Sequence, residues 1–204
     1  MFTQSTERRS AVTTLQFAVA PLTTDSAEKL EYGTPVILQD NLITAKYTPN
    51  MNKASQHASG VEVESYVAKN GGTLDITVRA LNAADETALF GSKVDATTGV
   101  LVSNKDDIVP DNMVIYSTRR SDGKLNLYKF AKAKFTSQGE SVQTIDENGI
   151  TYQALSLQAG YKPTINNGND MYVVKGADPT TDKALIEEWF SSALGGIQSE
   201  VTGD

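Results

Sequence analysis

Apolar and polar positions alternate along much of the chain, and the densest apolar stretch runs from Asn112 to Phe135. Ser121-Asp122-Gly123 divides it into two runs of β-branched, aromatic and aliphatic residues, and Asp-Gly between such runs predicts a tight hairpin. With Asp122-Gly123 as the loop, Arg119 faces Asn126, Ser117 faces Tyr128, Ile115 faces Phe130 and Val114 faces Ala131. One face then carries Val114, Tyr116, Leu125, Leu127 and Ala131, and the other Met113, Ile115, Tyr128 and Phe130. Both faces are apolar in the middle, so this hairpin is expected to be covered on both sides. A second sheet would form one cover. A helix or a neighbouring subunit would form the other, which assigns Met113, Ile115, Tyr128 and Phe130 to a contact between copies.

The remaining elements follow from the same alternation. Residues 1–14 are polar and read as a mobile arm, and Leu15, Phe17 and Val19 form a short strand that ends at Pro21. Val36-Ile37-Leu38 is apolar, and a strand over Leu42 to Tyr47 is broken by Pro49-Asn50-Met51-Asn52. Val61, Val63 and Val67 alternate with Glu62, Glu64 and Tyr66, and Leu74 to Arg79 alternate again after Asn70-Gly71-Gly72. This predicts a hairpin turning at 70–72, with Glu62, Glu64, Asp75, Thr77 and Arg79 outward, either as an ordinary solvated face or as an acidic wall. Asn82 as N-cap, Asp85 and Glu86 in the first turn, and Gly91 at the end predict a two-turn helix. Brief strands follow at Val100-Leu101-Val102, Ser141 to Ile145, Ile150 to Gln158 and Met171 to Val174, with turns at Asp146-Glu147-Asn148-Gly149 and Asn166 to Asp170. The last element is a helix opened by Asp178-Pro179-Thr180-Thr181, with Leu185, Ile186, Trp189, Phe190 and Ala193 in one stripe and Gly195-Gly196 closing it. Trp189 in that stripe reads as core packing. Residues 15–194 thus form one mainly β domain, a β-sandwich or barrel-like fold with one short helix and one flanking C-terminal helix, followed by a tail over 195–204.

Composition narrows the function more than any motif does. At 204 residues the chain can bury one substantial core. It has no cysteine, hence no disulfides and no thiolate metal site, and no run near the ~20 apolar residues of a membrane span. The start has no apolar run after its Arg8-Arg9 pair, so a soluble, non-secreted chain is expected. A net charge of -7 disfavours tight binding to nucleic-acid phosphates. The basic residues Arg119, Arg120, Lys124, Lys129, Lys132 and Lys134 concentrate on the central hairpin, where they read as a solvated edge that resists aggregation or as a contact for an acidic neighbour. His57 is the single histidine, in a polar run without a nucleophile elbow or a second histidine for a metal. No phosphate-cradling glycine motif occurs. No catalytic residue, metal ligand or cofactor site is expected.

Several features in this order resemble the major tail proteins of long-tailed bacteriophages with flexible, non-contractile tails. They are Tyr32-Gly33-Thr34-Pro35-Val36, the break at Pro49-Asn50, Gly99-Val100-Leu101-Val102-Ser103-Asn104-Lys105-Asp106-Asp107, the hairpin from Tyr116 to Phe135, Thr151-Tyr152-Gln153-Ala154-Leu155, and the closing helix with Trp189-Phe190. The resemblance spans about residues 12–194, and neither the segment before Leu15 nor the Asn-rich 166–170 turn belongs to it. It implies a structural virion protein, a tail tube subunit that assembles as stacked hexameric rings with one sheet of each subunit in a continuous barrel around the lumen. It also implies tape measure, tail terminator and tail-tip proteins as partners, with viral DNA passing through without tight binding. On this reading Glu62, Glu64 and Asp75 line the lumen and repel DNA, while residues 1–14 and 48–60 touch the next ring. The location would be the virion tail, and the host cytoplasm during assembly. Two rivals stand beside it: a glycan- or receptor-binding β-sandwich on a virion or cell surface, and a hydrolase with a carboxylate pair.

Overall fold

A computed structural model describes residues 10–38, 42–59, 61–137 and 154–197. The expected strand over 141–145, the turn at 146–149, the start of the 150–158 strand, Thr151 to Gln153, and most of both termini lie outside the described residues. Eleven strands and two helices are described: β1 (Ala11–Asp25), β2 (Leu30–Tyr32), β3 (Val36–Ile37), β4 (Leu42–Ala58), β5 (Val61–Val78), α1 (Ala83–Phe90), β6 (Lys93–Val94), β7 (Leu101–Val102), β8 (Asn112–Arg120), β9 (Leu125–Ser137), β10 (Leu155–Lys162), β11 (Met171–Ala177) and α2 (Lys183–Ser191). The protein is mainly β. One antiparallel sheet runs β2-β1-β8-β9-β10-β5-β4, with β3 on β1 and β11 on β9, and β6 and β7 make a separate small ribbon.

The large sheet rolls up until its two sides meet. Thr14 Oγ1 in β1 donates to the carbonyls of Leu42 and Ile43 at 3.0 and 3.3 Å, joining β1 to the start of β4. Phe17, Val19, Leu74, Ile76, Val78, Val114, Tyr116, Phe130, Phe135, Leu157 and Tyr161 consequently share one interior with Leu89 of α1. Rings fill it: Tyr116 stacks on Tyr128 at 4.8 Å between centroids, and Phe130 meets Tyr161 edge-on at 4.9 Å. Aromatic contacts of this kind add to the stabilisation that buried area supplies. α1 has the expected ends, with Asn82 and Asp85 in a reciprocal capping box and Gly91 left-handed at φ 75.

The central hairpin forms, but one residue out of the expected register. Arg120 N–H donates to Lys124 O at 2.8 Å and Gly123 N–H to Arg120 O at 3.0 Å, so Ser121, Asp122 and Gly123 form a three-residue loop. Only Gly123 (φ 86) needs the left-handed region there, whereas Asp122 uses its carboxylate to accept from Lys124 N–H at 3.1 Å. Val114 therefore pairs with Phe130, Tyr116 with Tyr128 and Ser117 with Leu127. A slip of one residue exchanges the faces of one strand relative to the other. Val114, Tyr116, Tyr128 and Phe130 point into the rolled sheet, and Met113, Ile115, Leu125, Leu127 and Ala131 point outward. Their cover is in the same chain: Trp189, Phe190 and Ala193, the predicted stripe of α2, close over them.

Three other boundaries move. β1 begins at Ala11, with Ala11 opposite Arg120 and Thr14 opposite Thr118, and it passes through Pro21 to Asp25, so residues 11–14 are strand rather than arm. β4 passes through Pro49, which an edge strand tolerates because the missing N–H need not pair. Asn70-Gly71-Gly72 is not a turn: β5 runs through it, and Asn70 with Gly71 stand opposite Asn50 as a bulge, with Gly71 at φ 64. The reversal lies instead at Ser59, φ 54, between Ala58 and Val61.

Candidate functional site

Beyond the bulge, β4 and β5 leave the body of the fold. Among the described residues, β10 accompanies β5 only from Val78 to Gly72, and from Met51/Lys69 to Ala58/Val61 the two strands pair with each other alone. This arm is roughly 30 Å long at ordinary strand rise. Met51 is 62% exposed, Val63 59%, Tyr66 69% and Val67 54%, a concentration of exposed apolar side chains on one two-stranded segment.

Gly71 and Gly72 set the base of the arm. A Cβ on Gly71 would lie 2.0 Å from Tyr161 O, and one on Gly72 would lie 2.2 Å from Thr48 O, so these glycines let three strands approach where the arm departs. Lys69 reaches Asp170 at 2.9 Å and ties the arm to the loop over 163–170. That loop is itself closely held. Asp25 Oδ1 accepts from the N–H groups of Ile165 and Asn166 at 2.8 and 3.2 Å, and its Oδ2 accepts from Lys132 Nζ at 2.7 Å. Burial raises the Asp25 pKa, but these donors outweigh it and hold the carboxyl below its ordinary value.

On the body, the outer face of β4-β5-β10-β9 is polar and not covered by any other described residue. Thr44, Lys46, Thr48, Thr73, Ser156, Gln158, Gly160, Lys134 and Thr136 are exposed there, in register from strand to strand. Asp75 sits among them opposite Lys46 and accepts from Gln158 Nε2 at 2.9 Å. Glu64 is on the arm, roughly 30 Å further along β5 at ordinary rise. Glu62 pairs in register with His57 near the arm's tip. Within one chain, Asp75 stands on a hydroxyl-rich face beside a lysine, well separated along β5 from Glu64.

The residues expected between copies are also elsewhere. Met113, Ile115 and Phe130 are fully buried within the chain and Tyr128 is half-buried, so the outer cover they require is α2 and the inner one is the rolled sheet. Among the basic residues of the hairpin, Arg120 is buried and pairs with Asp122 at 2.8 Å. Lys129 is fully buried and donates to the carbonyls of Ser192, Ala193 and Gly195 at 3.0, 2.8 and 2.6 Å, with its Nζ 4.5 Å from the Trp189 ring centre. It anchors the end of α2, and burial lowers its pKa to about 7. Its place follows from the alternation of β9, which puts Lys129 on the face of Leu125, Leu127 and Ala131 that α2 covers.

A shallow cleft of about 250 Å³ lies between Tyr32 to Pro35 and Ser191 to Leu194. Its lining holds no carboxylate, amine or imidazole, so it offers no acid–base pair for hydrolysis. Among the described residues, no three His, Asp or Glu side chains come together around a metal site. No described helix is long and apolar enough to cross a membrane.

Read from the sequence, residues 48–60 form a contact with the next ring and Tyr66 lies in a strand, but with Pro49 taken as a break they do not join into one two-stranded arm. One local signal was present, the turn dipeptide Ser59-Gly60. The chain matches no known family model and no curated protein.

Proposed function

We propose that this chain is a structural subunit, the major tail tube protein of a long-tailed bacteriophage or of a related tail-like particle, which assembles as hexameric rings stacked into a hollow tube. The arm carries this reading. A two-stranded projection with Met51, Val63, Tyr66 and Val67 more than half exposed is surface that a partner must cover, and a repeating assembly supplies one at every subunit. The rolled body supports it as a rigid block from which the arm projects, and its uncovered polar face supports it as a wall. On that face the hydroxyls of Thr44, Thr48, Thr73 and Ser156 separate the charges, Asp75 balances Lys46, and Lys134 lies 3.7 Å from Asp111. A largely neutral wall lets a polyanion pass without gripping it, so the lumen does not require the acidic surface expected from Glu62, Glu64 and Asp75. Tape measure, terminator and tail-tip proteins are the partners of this role, and the virion tail is its place.

Negative-stain electron microscopy of the purified protein across a concentration series tests the reading. Hollow tubes or six-fold rings are expected, directly or on addition of a tail-tip complex. Compact single subunits under both conditions refute it.

A further inference from the structure

The asparagine-rich turn at 166–170 belongs neither to the wall nor to the arm, yet the loop that holds it is densely bonded. Within the loop, Asn167 Oδ1 accepts from Thr164 Oγ1 at 2.6 Å and from Asn169 N–H at 3.0 Å, and Asn167 Nδ2 donates to Tyr172 Oη of β11 at 3.1 Å. Asn166 Nδ2 donates outward to the carbonyls of Ser26 and Ala27 at 3.2 and 3.3 Å, beside the bonds to Asp25. Asp170 closes the loop. Its carbonyl accepts from Ala131 N–H of β9 at 3.0 Å, which fixes its backbone on the body, while both of its carboxylate oxygens accept from Lys69 Nζ, at 3.0 and 2.9 Å. Lys69 is the first arm residue paired beyond the bulge, opposite Met51.

We propose that this loop is a buttress that fixes the angle at which the arm leaves the body, so that each subunit presents its arm already aimed at the next copy. A two-stranded ribbon with no third strand is poorly held by itself, and a bulge is where a strand bends. The tie from Lys69 to Asp170 spans that bend from a platform anchored on β1, β9 and β11. Asp170 is 15% exposed and Lys69 38%, so water screens the pair only in part. A preset arm loses its freedom before assembly rather than during it, which strengthens the contacts it then makes. The use of the arm in assembly rests on the reading above, whereas the fixed angle stands without it.

Because the chain has no cysteine, two introduced thiols can carry spin labels at chosen places only. Ser55→Cys on the arm and Ser156→Cys on β10 are exposed positions about 40 Å apart at ordinary strand rise. Pulsed electron paramagnetic resonance on dilute single subunits measures the spread of that distance, and thermal melts verify that each variant folds. One narrow peak is expected in the labelled parent. Asp170→Ala should broaden it, Lys69→Gln should do the same with the loop untouched, and the exchanged pair Lys69→Asp with Asp170→Lys should narrow it again. In unlabelled chains, Asp170→Ala should raise the critical concentration for assembly by up to about fivefold, the most that a partly exposed ion pair supplies. A broad peak in the parent overturns the proposal, as does a narrow one that survives both single variants. Broadening with an unchanged critical concentration overturns the part that the fixed angle plays in assembly. If the parent forms tubes while neither variant alters the spread, the buttress falls and the tube reading stands. If the spread responds as expected while no condition yields rings or tubes, the buttress stands and the tube reading falls.

Discussion

Replacing Gly71 by alanine tests whether the base of the arm depends on that backbone shape. Gly71 is at φ 64 with its virtual Cβ 2.0 Å from Tyr161 O, where ordinary contact begins at 3.4 Å. A residue with a Cβ loses roughly 1–2 kcal/mol in the left-handed region. The carbonyl must also retreat by about 1.4 Å, which opens the ladder between Gly72 and Tyr161 and sacrifices one or two hydrogen bonds at about 1 kcal/mol each. The expected loss is about 2–4 kcal/mol, or a Tm lower by about 5–15 °C for a chain of this size. Gly99→Ala is the control: its φ is 70, but nothing lies within 4 Å of its Cβ, so only the backbone cost of roughly 1–2 kcal/mol applies. Both substitutions reduce the freedom of the unfolded chain by the same amount, so their difference isolates the clash. Urea denaturation of the two variants measures it. Equal losses would refute the reasoning, because they would mean that β10 does not press on the bulge.

Two buried ionisable groups give predictions of the same sign in different pH windows. Burial lowers Lys129 to about 7 against 10.5 in the open chain, so between those values the unfolded state binds a proton that the folded state lacks. Stability should rise with pH across that window by up to about 1.4 kcal/mol per unit, and Lys129→Met should flatten this slope in thermal melts; an unchanged slope in the variant refutes the assignment. Asp25 acts in the same direction at lower pH. Its folded pKa is depressed, so its contribution is present above the ordinary carboxyl value of 3.8 and is lost as pH falls through the lower folded value. The stability gap between wild type and Asp25→Asn should be constant near neutrality and shrink under acid, and a gap that stays constant into strong acid would exclude the Lys132 pairing as its source.

The parts of this protein that sequence determined are those whose physics is local. Asn82 and Asp85 cap α1 through groups three residues apart, and Gly91 ends it by a conformation that glycine takes without strain. The stripe Leu185, Ile186, Trp189, Phe190 and Ala193 follows from helical period alone, and Trp189 and Phe190 are buried as that period requires. Alternation likewise marked β5, β8 and β9 as strands. Tertiary structure decided what alternation leaves open, namely register and continuation. One residue of loop at Ser121 to Gly123 set which face of β8 meets which face of β9, and so put Met113 and Ile115 beside Leu127, Lys129 and Ala131 beneath α2. Whether Asn70-Gly71-Gly72 turns the chain or merely kinks it depends on the partners present there, Thr48 on one side and Tyr161 on the other. Because those partners hold β5 extended, a short predicted hairpin became a long arm, and side chains expected to face inward were left open to another molecule.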